Sequence, residues 1–286
     1  MARAQRTPAD VLRAGAGYLA RHGVESARET AEALLMNLLS TDRAGLYSRR
    51  EGLDQATARL FARSLCARCR GTPLQYLTGE QQFRQLPIRV TPGVLVPRPE
   101  TEVLVDAAVA LIAGDDSAIV VDVGTGTGAV ALAVKFERPS ARVLATDISD
   151  GAVGLARQNA NRLGLEIDVF EGDLLEPLPE GLLARVHLVV SNPPYLTEEE
   201  YESLPPEVRA EPFEALVGGT DVHGRLIAES PRWLADDGWL VVEIGANQGP
   251  EVRSSFEAGG FVDVEVLPDL AGRDRVVRGR WVQRPA

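Results

Sequence analysis

From residue 118 onward, short apolar runs that are long enough only for strands alternate with segments whose apolar residues recur at helical spacing. AIVVDVG (118–124), ARVLATD (141–147), LEIDVFEGD (165–173), RVHLVVS (185–191) and GWLVVEIG (238–245) are the strand-like runs, with TGAVALAVKFER and SDGAVGLARQNANRLG as helices between the first of them. Parallel strands need crossover connections, so this alternation predicts an α/β unit with a mostly parallel sheet covered by helices on both faces. The last two runs, GFVDVEVL (260–267) and DRVVRGRW (274–281), are too close for a crossover helix and are expected to pair antiparallel at one edge.

Upstream the period differs. Thr7 and Pro8 can start a helix with Val11, Leu12, Ala16 and Leu19 on one face. Ser26 and Glu29 have capping-box spacing before AEALLMNLL, and Asp54 can cap QATARLFARSLCARCR, which Gly71 and Pro73 end. Residues 74–97 carry short β-like runs broken by Pro87 and Pro92-Gly93, the pattern of a hairpin, and PETEVLVDAAVALIAG is helical again. The expected organisation is a helical domain over 1–73, a β-hairpin linker over 74–97 and an α/β domain over 98–286.

Composition narrows the classes. No run approaches the roughly 18 apolar residues of a membrane span, and MARAQRTPAD lacks an apolar signal core, so a cytoplasmic, membrane-free location is expected. Cys66 and Cys69 are too few for a disulfide framework, and their C-x-x-C spacing has no nearby histidine to complete a metal site. Residues 1–80 hold 12 basic and 8 acidic side chains, whereas residues 81–286 hold 18 and 33. The larger part therefore repels nucleic acid, and no stable nucleic-acid binding is expected.

The first strand of the alternating region ends in Asp122-Val123-Gly124-Thr125-Gly126-Thr127-Gly128-Ala129. Glycines here let the backbone turn tightly and approach a ligand at a helix N-terminus. The spacing fits both G-x-G-x-G, used for S-adenosylmethionine, and G-x-G-x-x-A, used for dinucleotides. Asp147, at the end of the next strand, is placed to accept hydrogen bonds from ribose hydroxyls, which both ligands possess. Asp173, with Leu174 beside it, falls where the adenine edge is expected.

The fourth strand discriminates. Its apolar run Leu188-Val189-Val190 breaks into Ser191-Asn192-Pro193-Pro194-Tyr195, beyond the carboxyl end of a central strand where open α/β sheets bind ligands. The prolines fix φ and leave carbonyls free to accept, and Asn192 adds a side-chain acceptor. Two acceptors facing one point suit a planar –NH₂ group, whose flat face Tyr195 can cover, and they aim the nitrogen lone pair at an electrophile. The sulfonium methyl of S-adenosylmethionine is such an electrophile, and a dehydrogenase has no use for the arrangement.

These residues resemble the Asn-Pro-Pro-Tyr signature of methyltransferases that act on exocyclic or amide nitrogens. Together with TPLQYLTGEQQF (72–83), VLVPRPETEVLV (94–105), DVGTGTGAVALAV (122–134), EPFEALVGG (211–219) and DLAGRDRVVRGR (269–280), they resemble the HemK/PrmC family, which methylates the glutamine of the Gly-Gly-Gln motif in class-1 peptide chain release factors. The resemblance implies a helical N-terminal domain, a hairpin linker and a class I, Rossmann-like methyltransferase domain with a seven-stranded sheet. It implies that Gly124, Thr125, Gly126, Thr127, Gly128 and Asp147 contact S-adenosylmethionine. By the same resemblance Asn192 touches both cofactor and glutamine, Pro193, Pro194 and Tyr195 seat the amide, and Arg98 to Thr101 lie near the methionine end of the cofactor. Two stretches depart from the family pattern: Arg84-Gln85 stand where an aromatic and a glycine are frequent, and the Gly-Gly-x-Asp-Gly-Leu segment appears as residues 218–226, where His223 is expected to be an exposed loop histidine. The expected activity is methylation of a release-factor glutamine, with an exocyclic base amine as the enzymatic alternative and a non-catalytic S-adenosylmethionine sensor as the alternative of another class.

Overall fold

A computed structural model describes residues 7–283. The chain forms two compact units: one holds the described residues up to Glu80 together with Leu204–Ala210, and the other holds Gln81–Ser203 and the described residues from Glu211 onward.

The first unit is helical, with α1 Pro8–Arg21, α2 Ala27–Leu38, α3 Arg43–Ser48, α4 Gln55–Cys69 and α5 Leu74–Thr78. Thr7 caps α1 by accepting from the Asp10 N–H, and Asp54 caps α4 by accepting from the Thr57 N–H. Ser26 does not act as the expected cap. It sits in the left-handed region at φ 48° after the turn at Gly23, and its side chain makes no cap bond. Leu12, Leu19, Leu34, Leu35, Phe61 and Leu65 form the core. Gly15 lets α1 approach α4, since a Cβ there would stand 2.8 Å from the Phe61 ring. Buried Glu32 accepts from Tyr47 and pairs with Arg28 and Arg43, and the Tyr47 hydroxyl, then the two arginines, hold its carboxyl below the usual range against the pull of burial. Cys66 and Cys69 lie on α4 as free thiols, and no group of three or more His, Cys, Asp or Glu among the described residues is placed to hold a metal ion. Glu207, in the returning segment Leu204–Ala210, pairs with Arg68.

The chain passes into the second unit within a hairpin of β1 Glu80–Phe83 and β2 Leu86–Arg89. Arg84 takes φ 51° in its turn. The Arg84 N–H donates to Glu102, and the guanidinium reaches Glu137 and, at 2.7 Å, Asp106. This chain thus spends an arginine, with its three carboxylate partners, at a left-handed turn position that glycine adopts more readily.

After α6 Glu102–Leu111 follow β3 Ile119–Val123, α7 Ala129–Glu137, β4 Arg142–Asp147, α8 Asp150–Leu163, β5 Asp168–Glu171, β6 Val186–Ser191 and α9 Glu198–Glu202. The chain continues through α10 Asp221–Glu229, β7 Leu234–Glu243, α11 Gly249–Ala258, β8 Val262–Pro268 and β9 Asp274–Arg280. The strands form one sheet of order β5-β4-β3-β6-β7-β9-β8. β5 to β7 run parallel, while β9 pairs antiparallel with both β7 and β8. The expected antiparallel edge is therefore present, with β9 inserted beside β7.

Alternate residues of the strands feed two cores. Val120, Val143, Leu188 and Val190 pack with α6, α7 and α8 on one face, whereas Val121, Leu144, Val189 and Leu240 pack with Leu226, Ile227, Val252 and Phe256 of α10 and α11 on the other. Sequence order reverses direction between β3 and β6, which opens a crevice at their carboxyl ends. Among the described residues no helix is long and apolar enough to cross a membrane.

Candidate active site

The glycine segment leaves β3 in a tight turn. Gly124, Gly126 and Gly128 all have positive φ (69°, 56° and 83°), and the Gly124 and Thr125 N–H groups donate to the Thr146 carbonyl at the end of β4. The Gly126 N–H donates to Asp147 Oδ2 at 2.8 Å, and the Ser149 N–H donates to Oδ1 at 2.9 Å. Asp147 is thereby fixed against the loop. Each of its oxygens keeps a further lone pair for a ligand, and burial raises the carboxyl above its ordinary pKa.

Beneath the loop lies Asp122, whose Oδ2 accepts from Thr125 Oγ1 at 2.6 Å and from the Ala131 N–H at 3.1 Å. Its complete burial pushes the carboxyl up to about 7. Asn159, fully buried on α8, donates to the Thr127 carbonyl and exchanges two bonds with the backbone of Arg89, so it ties the loop to β2. Gly128 closes the turn as the residue before α7, where a Cβ would stand 3.1 Å from Ala156 Cβ.

At the end of β6, Ser191 Oγ donates to the Val123 carbonyl at 2.8 Å and locks the two strand ends together. Asn192 follows, its Nδ2 donating to Thr101 Oγ1 at 3.2 Å. Pro193 and Pro194 hold the next turn. The residue after them, Tyr195, points its hydroxyl at Glu243 Oε1 (3.3 Å), and its backbone carbonyl accepts from Gln248 Nε2 at 2.8 Å. Burial and the neighbouring carboxyl raise the Tyr195 pKa, which keeps the phenol protonated.

A cavity of about 630 Å³ joins these segments, within the range of small-molecule sites. Of the residues singled out in the sequence, Gly124 to Thr127, Asp147, Asp173, Leu174 and Asn192 to Pro194 line it, while Gly128 and Tyr195 lie behind its wall. Thr101 lines it too. Arg98 instead turns to the buried Glu211, whose other oxygen accepts from the Val96 N–H. Asp173 is paired across the cavity rim with Arg225 of α10 at 2.7 Å.

His223 contradicts the expectation of an exposed loop histidine. It sits on α10 at 1% exposure, its Nε2 bonded to the Glu243 carbonyl at 2.8 Å, and burial lowers its pKa. The Gly218-Gly219 pair ends before the helix, and Leu226 and Ile227, three and four residues on, are the apolar face that carries His223 inward. Sequence reasoning also missed Glu243, Arg225 and Asn159. Glu243, a single acid at the end of an apolar strand, looks like a solvated strand end, yet it is 1% exposed and its carboxyl is pushed up to about 7 by burial.

Residues 10–79 match the PrmC N-terminal domain family, and residues 100–205 match the Methyltransferase small domain family. The chain is 42% identical to the release factor glutamine methyltransferase of Geobacter sulfurreducens over 269 residues, which is 92% of this chain and 93% of the relative. It is also 42% identical to that of Moorella thermoacetica over 264 residues, 90% and 92% of the two chains. The crystal structure of a methyltransferase from Pyrococcus furiosus shares the fold at 14% identity, with a TM-score of 0.51 and coverage of 81% of this chain and 100% of that one. With such identity along nearly the whole of both curated relatives, the chain belongs to the release factor glutamine methyltransferase family.

Proposed function

We propose that this protein transfers the methyl group of S-adenosylmethionine to the side-chain amide nitrogen of the glutamine in the Gly-Gly-Gln motif of class-1 release factors. The observation that carries the reading is Asn192: its Nδ2 donates to Thr101, which turns Oδ1 away from that bond as an acceptor, and the residue lines a cavity shared with the glycine loop and Asp147.

The donor set fits the cofactor. Asp147 accepts from the ribose hydroxyls, the segment from Gly124 to Gly128 accommodates the amino-acid end, and Asp173 with Leu174 borders the adenine. Bound there, S-adenosylmethionine supplies an electrophilic methyl on sulfur. Asn192 Oδ1 and the Pro193 carbonyl accept the two N–H bonds of the glutamine amide and aim its lone pair along the line of displacement. The same two acceptors stabilise the charge that develops on nitrogen as the C–N bond forms and the C–S bond breaks. One of the two protons on nitrogen then leaves to water, the other stays on the methylated amide, and the sulfur keeps the electron pair of the broken C–S bond. Pro194 makes the wall against which the amide plane rests, and Tyr195 backs it.

The acidic balance of residues 81–286 supports a protein acceptor over a nucleic acid. We assign recognition of the release factor in part to the helical first unit, treat residues 74–97 as its linker to a catalytic domain over 98–286, and place the reaction in the cytoplasm. Asn192→Ala tests the reading: kcat should fall about 100-fold or more while S-adenosylmethionine affinity stays near wild type. Equal losses in both, or in neither, would contradict it.

A further inference from the structure

Behind the cavity wall lies a buried acid that methyl transfer, as described, does not use. Glu243 ends β7, the strand beside β6, so its carboxyl stands next to the segment that carries Asn192 and Tyr195. Oε1 accepts from the Tyr195 hydroxyl at 3.3 Å, and Oε2 is buried without a partner of full hydrogen-bond geometry. The Thr101 hydroxyl lies against this carboxyl and favours its charged form. The same hydroxyl oxygen accepts from Asn192 Nδ2 at 3.2 Å.

Thr101 has a single hydroxyl proton, and a carboxylate can only accept. With Glu243 ionised, that proton is drawn to the carboxylate, and Thr101 Oγ1 is left as an acceptor. Asn192 must then turn its NH₂ toward Thr101 and keep Oδ1 for the substrate. With the direction reversed, Asn192 would offer an NH₂ to the incoming amide NH₂, and two donors cannot bond.

We propose that Glu243 is a positioning residue for the methyl transfer: it sets the direction of the hydrogen bonds through Thr101 so that Asn192 presents Oδ1 to the acceptor amide, and it holds Tyr195 by its hydroxyl. This rests on the reading that Asn192 accepts from the substrate. The groups that face the carboxyl are Tyr195 from the β6 end, Thr101 and Glu100 from the turn before α6, and Arg275 from β9, while His223 of α10 holds the Glu243 backbone carbonyl. Arg275 and Thr101 favour the charged form, and burial with Glu100 opposes it, so the carboxyl ionises at about 7. Burial lowers the His223 pKa below its ordinary value.

The experiment uses the full chain with unmodified release factor and S-adenosylmethionine, and measures cofactor affinity by calorimetry and kcat and KM against pH. In the wild type kcat should rise through neutral pH as Glu243 ionises. Glu243→Gln should bind the cofactor normally, lose about tenfold or more in kcat with KM little changed, and lack the rise. A wild-type rate with the same pH rise would overturn the proposal. If Glu243→Gln also loses cofactor binding, the threonine decides: Thr101→Val should lose kcat while Thr101→Ser, which keeps the hydroxyl, restores it. Equal activity in those two variants would overturn the proposal. Asn192→Ala, assayed in parallel, separates the premises, since full activity there removes the acceptor reading itself.

Discussion

Gly218 lies so close to Pro194 that a Cβ on it would stand 2.6 Å from the Pro194 carbonyl oxygen. The segment around it pairs with the residues after Tyr195, through Leu196 N–H to the Leu216 carbonyl and Gly218 N–H to the Leu196 carbonyl. Gly218 thus sets how near this strap can press on the proline turn.

Gly218→Ala must move that turn, because backbone cannot yield as a side-chain tip does. We expect kcat to fall about tenfold or more, as small misplacements of reacting groups cost rate steeply, while cofactor affinity holds. Steady-state kinetics with parallel calorimetry checks this, and an unchanged kcat would show that the strap does not position the turn.

Asp147→Ala should act on the cofactor instead. Hydrogen bonds to a charged acceptor contribute about 1.5–3 kcal/mol, so S-adenosylmethionine Kd should rise by roughly one to two orders of magnitude. Calorimetric titration that finds an unchanged Kd would remove Asp147 from the ribose site.

Asn159→Leu removes an amide that satisfies the Arg89 N–H and the Arg89 and Thr127 carbonyls. Each buried group left without a partner costs about 1–3 kcal/mol, so denaturant unfolding should show a loss of about 3 kcal/mol or more. A loss below that of a single hydrogen bond would mean that the loop is held by other contacts.

Asp122 makes stability depend on pH with a definite sign. Its folded pKa of about 7 lies above the unfolded carboxylate value, so the folded state keeps the proton while the unfolded chain releases it. The contribution is fully present below about pH 4 and is lost as pH rises through about 7. Asp122→Asn keeps an acceptor for Thr125 and Ala131 without the charge. Its unfolding free energy should therefore gain on the wild type as pH rises across this window, by at most about 4 kcal/mol. Parallel curves for the two proteins would contradict the assignment.

The sheet was legible where burial on both faces makes a strand a continuous apolar run, as in Ile119 to Val121 and Leu188 to Val190. It was less legible where polarity interrupts the run. β7 starts at Leu234, four residues before the expected start at Gly238, because exposed Asp236 and Asp237 break the pattern and Asp237 takes φ 62°. Ser26 shows that the right residue types at cap spacing do not settle the backbone angle. The cavity-lining part of the site was readable from Gly124 to Thr127, Asp147 and Asn192 to Pro194, since each sits at a strand end. The groups that hold it in place, Asn159, Thr101 with Glu243, and His223, come from distant segments and meet only in the fold. Nor does sequence adjacency join Leu204–Ala210 to the helical unit.

Mass spectrometry of unmodified release factor, incubated with this protein and S-adenosylmethionine and then digested, decides whether the glutamine side chain is the methyl acceptor. A single added methyl is expected on the Gly-Gly-Gln peptide, localised to the glutamine side chain and absent with Asn192→Ala. An unmodified peptide under conditions where the cofactor binds, or a methyl carried to a nucleic-acid base in a matched incubation, would contradict it.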